Sequence, residues 1–212
     1  MLQPYRIQKE HLNEHFHLDE NDECYYLMEY RPGSRYWDDP AHQLISNFKK
    51  DMKYKGSASW PHKERAISQV AAHFTEVIPK LAMDRCTLVP IPPSKTKTHE
   101  KYDDRMTRVL SLLNIGKSDV RELIAAVRDM EASHRSGENR PKLEDLIANY
   151  RLDEAECKNI TKKIVLVDDV VTAGSHFKAC KRLIQDRLPN VEVAGLFIAR
   201  RVVDDPFKEL LL

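Results

Sequence analysis

Two kinds of hydrophobic block recur along the chain. Short, nearly unbroken apolar runs at residues 86–91 (CTLVPI), 163–167 (KIVLV) and 191–199 (VEVAGLFIA) have the length of strands covered on both faces. Other segments place apolar residues three and four apart. Leu44, Ile45 and Phe48 form one such face behind Pro40, and Ile67, Val70, Ala71, Phe74 and Ile78 form another behind Pro61, so both segments predict helices. Residues 24–30 (CYYLMEY) are aromatic-rich and predict a further strand. Helices are also expected over 104–113, 141–149 and 175–188, a strand over 121–127 and a brief one over 150–152. Residues 53–60 read as a connector, and the polar stretch 128–140 (RDMEASHRSGENR) as a long surface loop. Strand and helix alternate, which predicts an α/β fold with a parallel sheet and helices on both faces. Residues 1–23 are polar with little periodicity. The expected organisation is a small N-terminal strand/helix extension over 1–85, a core over 86–201 and a tail over 202–212.

Composition narrows the function classes. The chain has 212 residues, and Lys plus Arg (34) nearly balances Asp plus Glu (33), giving a net charge of +1 with no global pull toward nucleic acid or membrane. The closest glycine pairs, Gly116 with Gly137 and Gly174 with Gly195, are 21 positions apart, which excludes a GxGxxG dinucleotide loop and a Walker A loop. Cys24, Cys86, Cys157 and Cys180 form no CxxC pair, which excludes a zinc ribbon and argues against a dense disulfide framework. The longest apolar run, residues 193–199, is far short of a membrane span, and no secretory h-region opens the chain. A cytoplasmic location with reduced thiols is expected.

The densest chemistry lies in residues 164–177 (IVLVDDVVTAGSHF). A buried-type strand runs into two adjacent carboxylates, Asp168 and Asp169, expected to stand in water at the ligand edge of the sheet. The turn Thr172-Ala173-Gly174-Ser175 follows at a helix N-terminus, where unpaired N–H groups and the helix dipole favour a phosphate. Gly174 permits close backbone approach, and the hydroxyls of Thr172 and Ser175 add donors. Carboxylates beside a phosphate cradle suit a phosphorylated sugar. The plainer alternative is a solvated acidic turn with Ser175 as an N-cap.

The stretch VLVDDVVTAGS resembles the PRPP-binding signature of type I phosphoribosyltransferases. With the strand-loop Leu88-Val89-Pro90-Ile91-Pro92-Pro93-Ser94-Lys95 upstream, and the basic segment at residues 44–55 (LISNFKKDMKYK) before it, the chain is most similar to the ComF-like branch. The resemblance covers residues 40–201. It implies a type I phosphoribosyltransferase-like core in which Asp168 and Asp169 bind the ribose hydroxyls of PRPP and, indirectly, Mg²⁺. It implies that Thr172, Ala173, Gly174, Ser175 and His176 hold the 5′-phosphate. Ser94, Lys95 and Arg135 of a flexible lid would meet the pyrophosphate, with Asp168, Asp169 and Lys95 serving catalysis. The implied reaction transfers a 5-phosphoribosyl group to a nitrogenous base and releases pyrophosphate, the base being chosen by a hood from residues 1–85 or the tail. The chain departs from the signature at Ala173 and His176, where the family carries hydroxyl residues, and it lacks the Cys-rich N-terminal module common in that branch.

Weaker signals leave alternatives open. Asp104 reads as a helix N-cap, with a ligand role for Tyr102 or Asp103 as the competing reading. His11, His15 and His17 read as solvated surface histidines rather than metal ligands. Lys49, Lys50, Lys53 and Lys55 read as a solvated helix face or, less readily, a nucleic-acid contact. Arg200 and Arg201 are expected at the ligand edge or as a surface pair. PRPP and a base are the expected partners, without a membrane; homodimerisation is open. Two other functions compete: a non-catalytic PRPP- or nucleotide-sensing regulator, and a ComF-like factor in DNA uptake or handling.

Overall fold

A computed structural model describes residues 2–33, 39–116, 119–130 and 142–202. The strands are β1 (Tyr5–Arg6), β2 (Glu23–Tyr30), β3 (Thr87–Pro90), β4 (Asp119–Val120), β5 (Ile124–Ala126), β6 (Tyr150–Leu152), β7 (Lys163–Val171) and β8 (Glu192–Arg201). The helices are α1 (Pro40–Phe48), α2 (Trp60–Val77), α3 (Arg105–Ser111), α4 (Leu143–Asn149) and α5 (Ser175–Arg187). Their starts follow local chemistry. Asp39 caps α1 by accepting from the N–H groups of Ala41 and His42 at 2.9 and 3.1 Å, with Pro40 in the first turn. Pro61 opens α2 in the same way, and Gly174 precedes α5 at φ +86°.

Six strands form one sheet in the order β1-β2-β8-β7-β3-β4, and all neighbours are parallel except the β1–β2 pair. The protein is therefore α/β with a mostly parallel six-stranded sheet flanked by helices. The sheet runs across residue 85, since β1 and β2 join the strands that follow. On one face α1, α2 and α3 pack through Leu44, Phe48, Ile67, Phe74 and Val109 onto Val165 and Val167. On the other, α4 and α5 pack through Leu146, Phe177 and Ile184 onto Ile164 and Leu166. The arm joining β1 to β2 also lies on this second face, where Ile7 and Leu18 enter the core.

Several boundaries differ from the sequence reading, each for a physical reason. β7 continues through Asp168 and Asp169 to Val171, because β8 pairs with it as far as Val171 opposite Arg200. The acidic pair is thus inside the strand, not beyond it. Of the strand expected over 121–127 only Ile124–Ala126 forms, as β5, which pairs antiparallel with β6 in a separate hairpin, while the two-residue β4 just before it extends the main sheet. The basic segment 44–55 is not one helix, for α1 ends at Phe48 and a short 3₁₀ turn covers Met52–Tyr54. Among the described residues no helix is long and apolar enough to cross a membrane.

Candidate functional site

The strand order creates a crevice. β3 leads through α3 to β4 on one side, whereas β7 leads through α5 to β8 on the other. The loops leaving the carboxyl ends of β3 and β7 diverge there, which is where ligands bind in open parallel sheets. Asp168 stands at this point and lines clefts on both sides of it.

One cleft opens beside β3. Its walls come from Ile91, Pro93 and Lys95, from Tyr102 to Thr107, and from Glu122 with the hairpin strand β5. Some of its polar groups are spent internally. Lys97 pairs with Glu122, which also accepts from the Thr107 hydroxyl at 2.9 Å. The ammonium of Lys95 and the hydroxyl of Tyr102 meet no hydrogen-bond or ion-pair partner among the described residues. Asp104 makes no side-chain capping bond to α3, so the capping role expected of it is not what holds that helix end. Ser94 contributes its carbonyl, which accepts from Met130 N–H at 2.8 Å. Arg135, with most of the expected lid, lies outside the described residues.

The second cleft is bounded by Asp168, Thr172, Gly174, Ser175 and His176. Among the described residues no acceptor takes the N–H groups of residues 172–175. They open the 13-residue helix α5, so free donors and the positive end of its dipole coincide. Gly174 is required twice over. Its φ of +86° suits glycine, and a Cβ there would stand 2.6 Å from Leu18 Cγ. The His176 ring is tethered from behind, with Nδ1 2.6 Å from the Tyr150 hydroxyl. Burial foremost, then the nearby Cys180 and Asp168, pushes the Tyr150 phenol well above its usual range.

Asp168 and Asp169 do not share one environment, which corrects the expectation that both stand in water. Asp169 is buried on the α1–α3 face, 2.6 Å from Arg105 Nη2 and 2.8 Å from Lys49 Nζ. Arg105 also holds Asp103 at 2.7 Å, and Asp103 accepts from Lys63 Nζ at 2.7 Å. Lys63 is 1% exposed and donates as well to the carbonyls of Phe48 and Lys50, tying off the end of α1. Burial alone would raise the Asp169 carboxyl, but Lys49 and Arg105 hold it well below the usual carboxylate range. Asp168 forms no ion pair among the described residues, and Lys49 and Arg105 lower it only from a distance. Burial, then the charge of Asp169, pushes it up to about 7, while one of its oxygens accepts from Asp169 N–H at 2.7 Å.

Sequence reasoning missed Arg105, Lys63 and Tyr150, whose partners are distant in the chain. It also misplaced Lys49 and His15, and it left Arg200 open between the ligand edge and a surface pair. Lys49 is not part of a solvated basic face, because it pairs with Asp169. Arg200 is 6% exposed and bridges Glu14 and Glu29 at 3.0 and 2.7 Å, so it is no surface residue. His15 is fully buried, its Nδ1 hydrogen-bonded to the Thr172 carbonyl. Among the described residues no three His, Cys, Asp or Glu side chains form a cluster able to hold a metal ion. A divalent ion carried in by substrate oxygens still fits, because Mg²⁺ keeps its waters and takes one or two carboxylates, and Asp168 offers one. No protein-family model and no curated protein matches the chain.

Proposed function

We propose that the protein binds PRPP together with Mg²⁺ and transfers its 5-phosphoribosyl group to a nitrogenous base, on a type I phosphoribosyltransferase-like core. The observation that carries this reading is the row of free N–H groups at residues 172–175 opening α5, set beside an unpaired carboxylate, Asp168, at the switch point of the sheet. Such a row suits a phosphate, and the adjacent carboxylate suits sugar hydroxyls. Lys95 stands across the switch point, where a leaving pyrophosphate would be drawn.

Each residue then has a stated task. Residues 172–176 hold the 5′-phosphate, with backbone N–H groups standing in for the hydroxyl missing at Ala173. Asp168 accepts from the ribose and, as a carboxylate, faces the metal. Its raised pKa of about 7 falls when a cation arrives, so binding of the charged pair ionises it. Asp169 acts at one remove: it fixes Arg105 and Lys49 against the strand end and does not reach the ligand itself. Lys95 donates to the pyrophosphate. Mg²⁺, when bound, supplies the charge that neutralises the pyrophosphate as it leaves.

The test is release of pyrophosphate from PRPP and Mg²⁺ across a panel of purine, pyrimidine and pyridine bases. Turnover with one base is the expected result. Tight binding without turnover favours a PRPP-sensing regulator. That second reading draws on the chain's own chemistry: Ala173 brings no hydroxyl, and the Nδ1 of His176 is already engaged by Tyr150. Neither binding nor turnover overturns both.

A further inference from the structure

The arm between β1 and β2 makes three contacts with the outer side of the 172–174 turn. His15 Nδ1 is hydrogen-bonded to the Thr172 carbonyl. His17 N–H donates to the Ala173 carbonyl at 3.0 Å. Leu18 packs on Gly174 so closely that no side chain fits there. Beyond these, the arm is pinned at both flanks. Glu14 holds Arg200 at 3.0 Å, and Asp22 holds Lys178 and Lys181 of α5 at 2.6 and 2.7 Å.

Two of these bonds have a consequence on the far side of the turn. A trans peptide is planar, with its C=O and N–H on opposite sides, and the chain has no cis peptide among its described residues. Holding the Thr172 carbonyl therefore turns the N–H of Ala173 the other way, and holding the Ala173 carbonyl does the same for the N–H of Gly174. Both are among the N–H groups left without an acceptor. The tautomer of His15 also follows: a carbonyl only accepts, so Nδ1 carries the proton. The Nε2 atom is buried and has no partner among the described residues. An apolar side chain would remove that unsatisfied acceptor but leave the Thr172 carbonyl without its donor, so the histidine answers to that carbonyl.

We infer that residues 7–22 form a strap across the phosphate turn, and that His15 is a positioning residue which aims the N–H of Ala173 at the bound phosphate through the Thr172 carbonyl. The inference rests on the proposed function and deepens it. At Ala173 the signature's hydroxyl is absent, so the orientation of that backbone donor matters more.

The test compares the full-length protein with His15→Leu and His15→Asn, by calorimetric titration with PRPP and Mg²⁺ and by thermal melting without ligand. His15→Leu keeps the volume and discards the donor. It is expected to lose about tenfold in PRPP affinity while its melting temperature changes little, the lost donor being offset by the loss of the unsatisfied Nε2. His15→Asn retains an N–H for the carbonyl and is expected to restore most of that affinity. Equal affinity in all three proteins would overturn the inference alone, as would a loss in His15→Leu that merely tracks a fall in melting temperature. Failure of the unaltered protein to bind would overturn the proposed function and the strap with it. A readout independent of the variants is the imidazole ¹⁵N spectrum of the unaltered protein near neutral pH. His15 is expected there as the neutral Nδ1–H form, and an Nε2–H form would contradict the strap.

Discussion

The two faces of the sheet reach the ligand edge in opposite conditions. On the face of α1–α3, the charges gathered at the strand end are paired: Lys49 and Arg105 on Asp169, Arg105 and Lys63 on Asp103. On the face of α4 and α5, the N–H groups of 172–175 are open and Asp168 forms no ion pair among the described residues, feeling Lys49 and Arg105 only at a distance. One strand carries both conditions in adjacent residues of the same type. A satisfied buried ion pair fixes geometry, whereas an unsatisfied polar surface is a place for a ligand. Asp169 therefore belongs to the frame of the site and Asp168 to its working surface.

Separating the two carboxylates by mutation gives the largest expected effect. Asp169→Asn leaves Lys49 without a counter-charge and Arg105 with Asp103 alone. It should cost about 3 kcal/mol, a fall in melting temperature on the order of 10 °C for a chain of this size. Asp168→Asn removes a poorly accommodated charge. At pH 8 it should hold or raise apo stability, by about 1 kcal/mol. Thermal unfolding followed by circular dichroism separates them, and equal losses in the two variants would erase the contrast.

A smaller effect concerns pH. The Asp168 carboxyl titrates near 7 when folded, against an ordinary value of 3.8. The native state then binds more protons than the unfolded chain between those values, so this group lowers stability as pH rises through that window. Asp169 behaves oppositely: its depressed value adds stability above 3.8 that is lost on acidification. Between pH 5 and 8 the unaltered protein should lose roughly 2–3 kcal/mol relative to Asp168→Asn. Denaturant titrations of both proteins at several pH values measure the difference. Parallel profiles would show that Asp168 ionises normally.

The smallest effect is at His176. Its Nδ1 is held by Tyr150, whose hydroxyl can donate to the neutral ring or accept from the charged one. A protonated ring adds a charge-assisted bond to phosphate. Protonation of Asp168 opposes PRPP binding from pH 8 toward 6, so the affinity of the unaltered protein should fall less steeply over that range than that of His176→Thr, with the two similar at pH 8. Titrations of the two proteins across this range decide it, and parallel slopes would place the ring away from the phosphate.

Much of the scaffold was legible from local pattern. The runs at 163–167 and 191–199 became central strands, and Pro40, Pro61 and Ser175 each fell at a helix start, because these signals depend on neighbours a few residues away. The carboxylates and the phosphate turn were legible as a motif. The contrast between Asp168 and Asp169 was not. It depends on which face of β7 each side chain takes and on Arg105, 64 positions away. The polar stretch 1–23 carries no periodicity, so nothing in it announces that His15 meets a residue 157 positions along the chain. The end of β7 was placed too early because Asp-Asp reads as a terminator, whereas pairing with β8 carries the strand past it.

The central claim is that the open face binds PRPP with its metal through Asp168 and the 172–176 turn. Calorimetric titration of PRPP into the unaltered protein and Asp168→Asn, each with and without Mg²⁺, tests it most directly. The predicted result is tight binding by the unaltered protein with Mg²⁺, about tenfold or more weaker binding without it, and a comparable loss in Asp168→Asn despite its undiminished melting temperature. Equal affinity with and without the metal, or full affinity in Asp168→Asn, would contradict the claim.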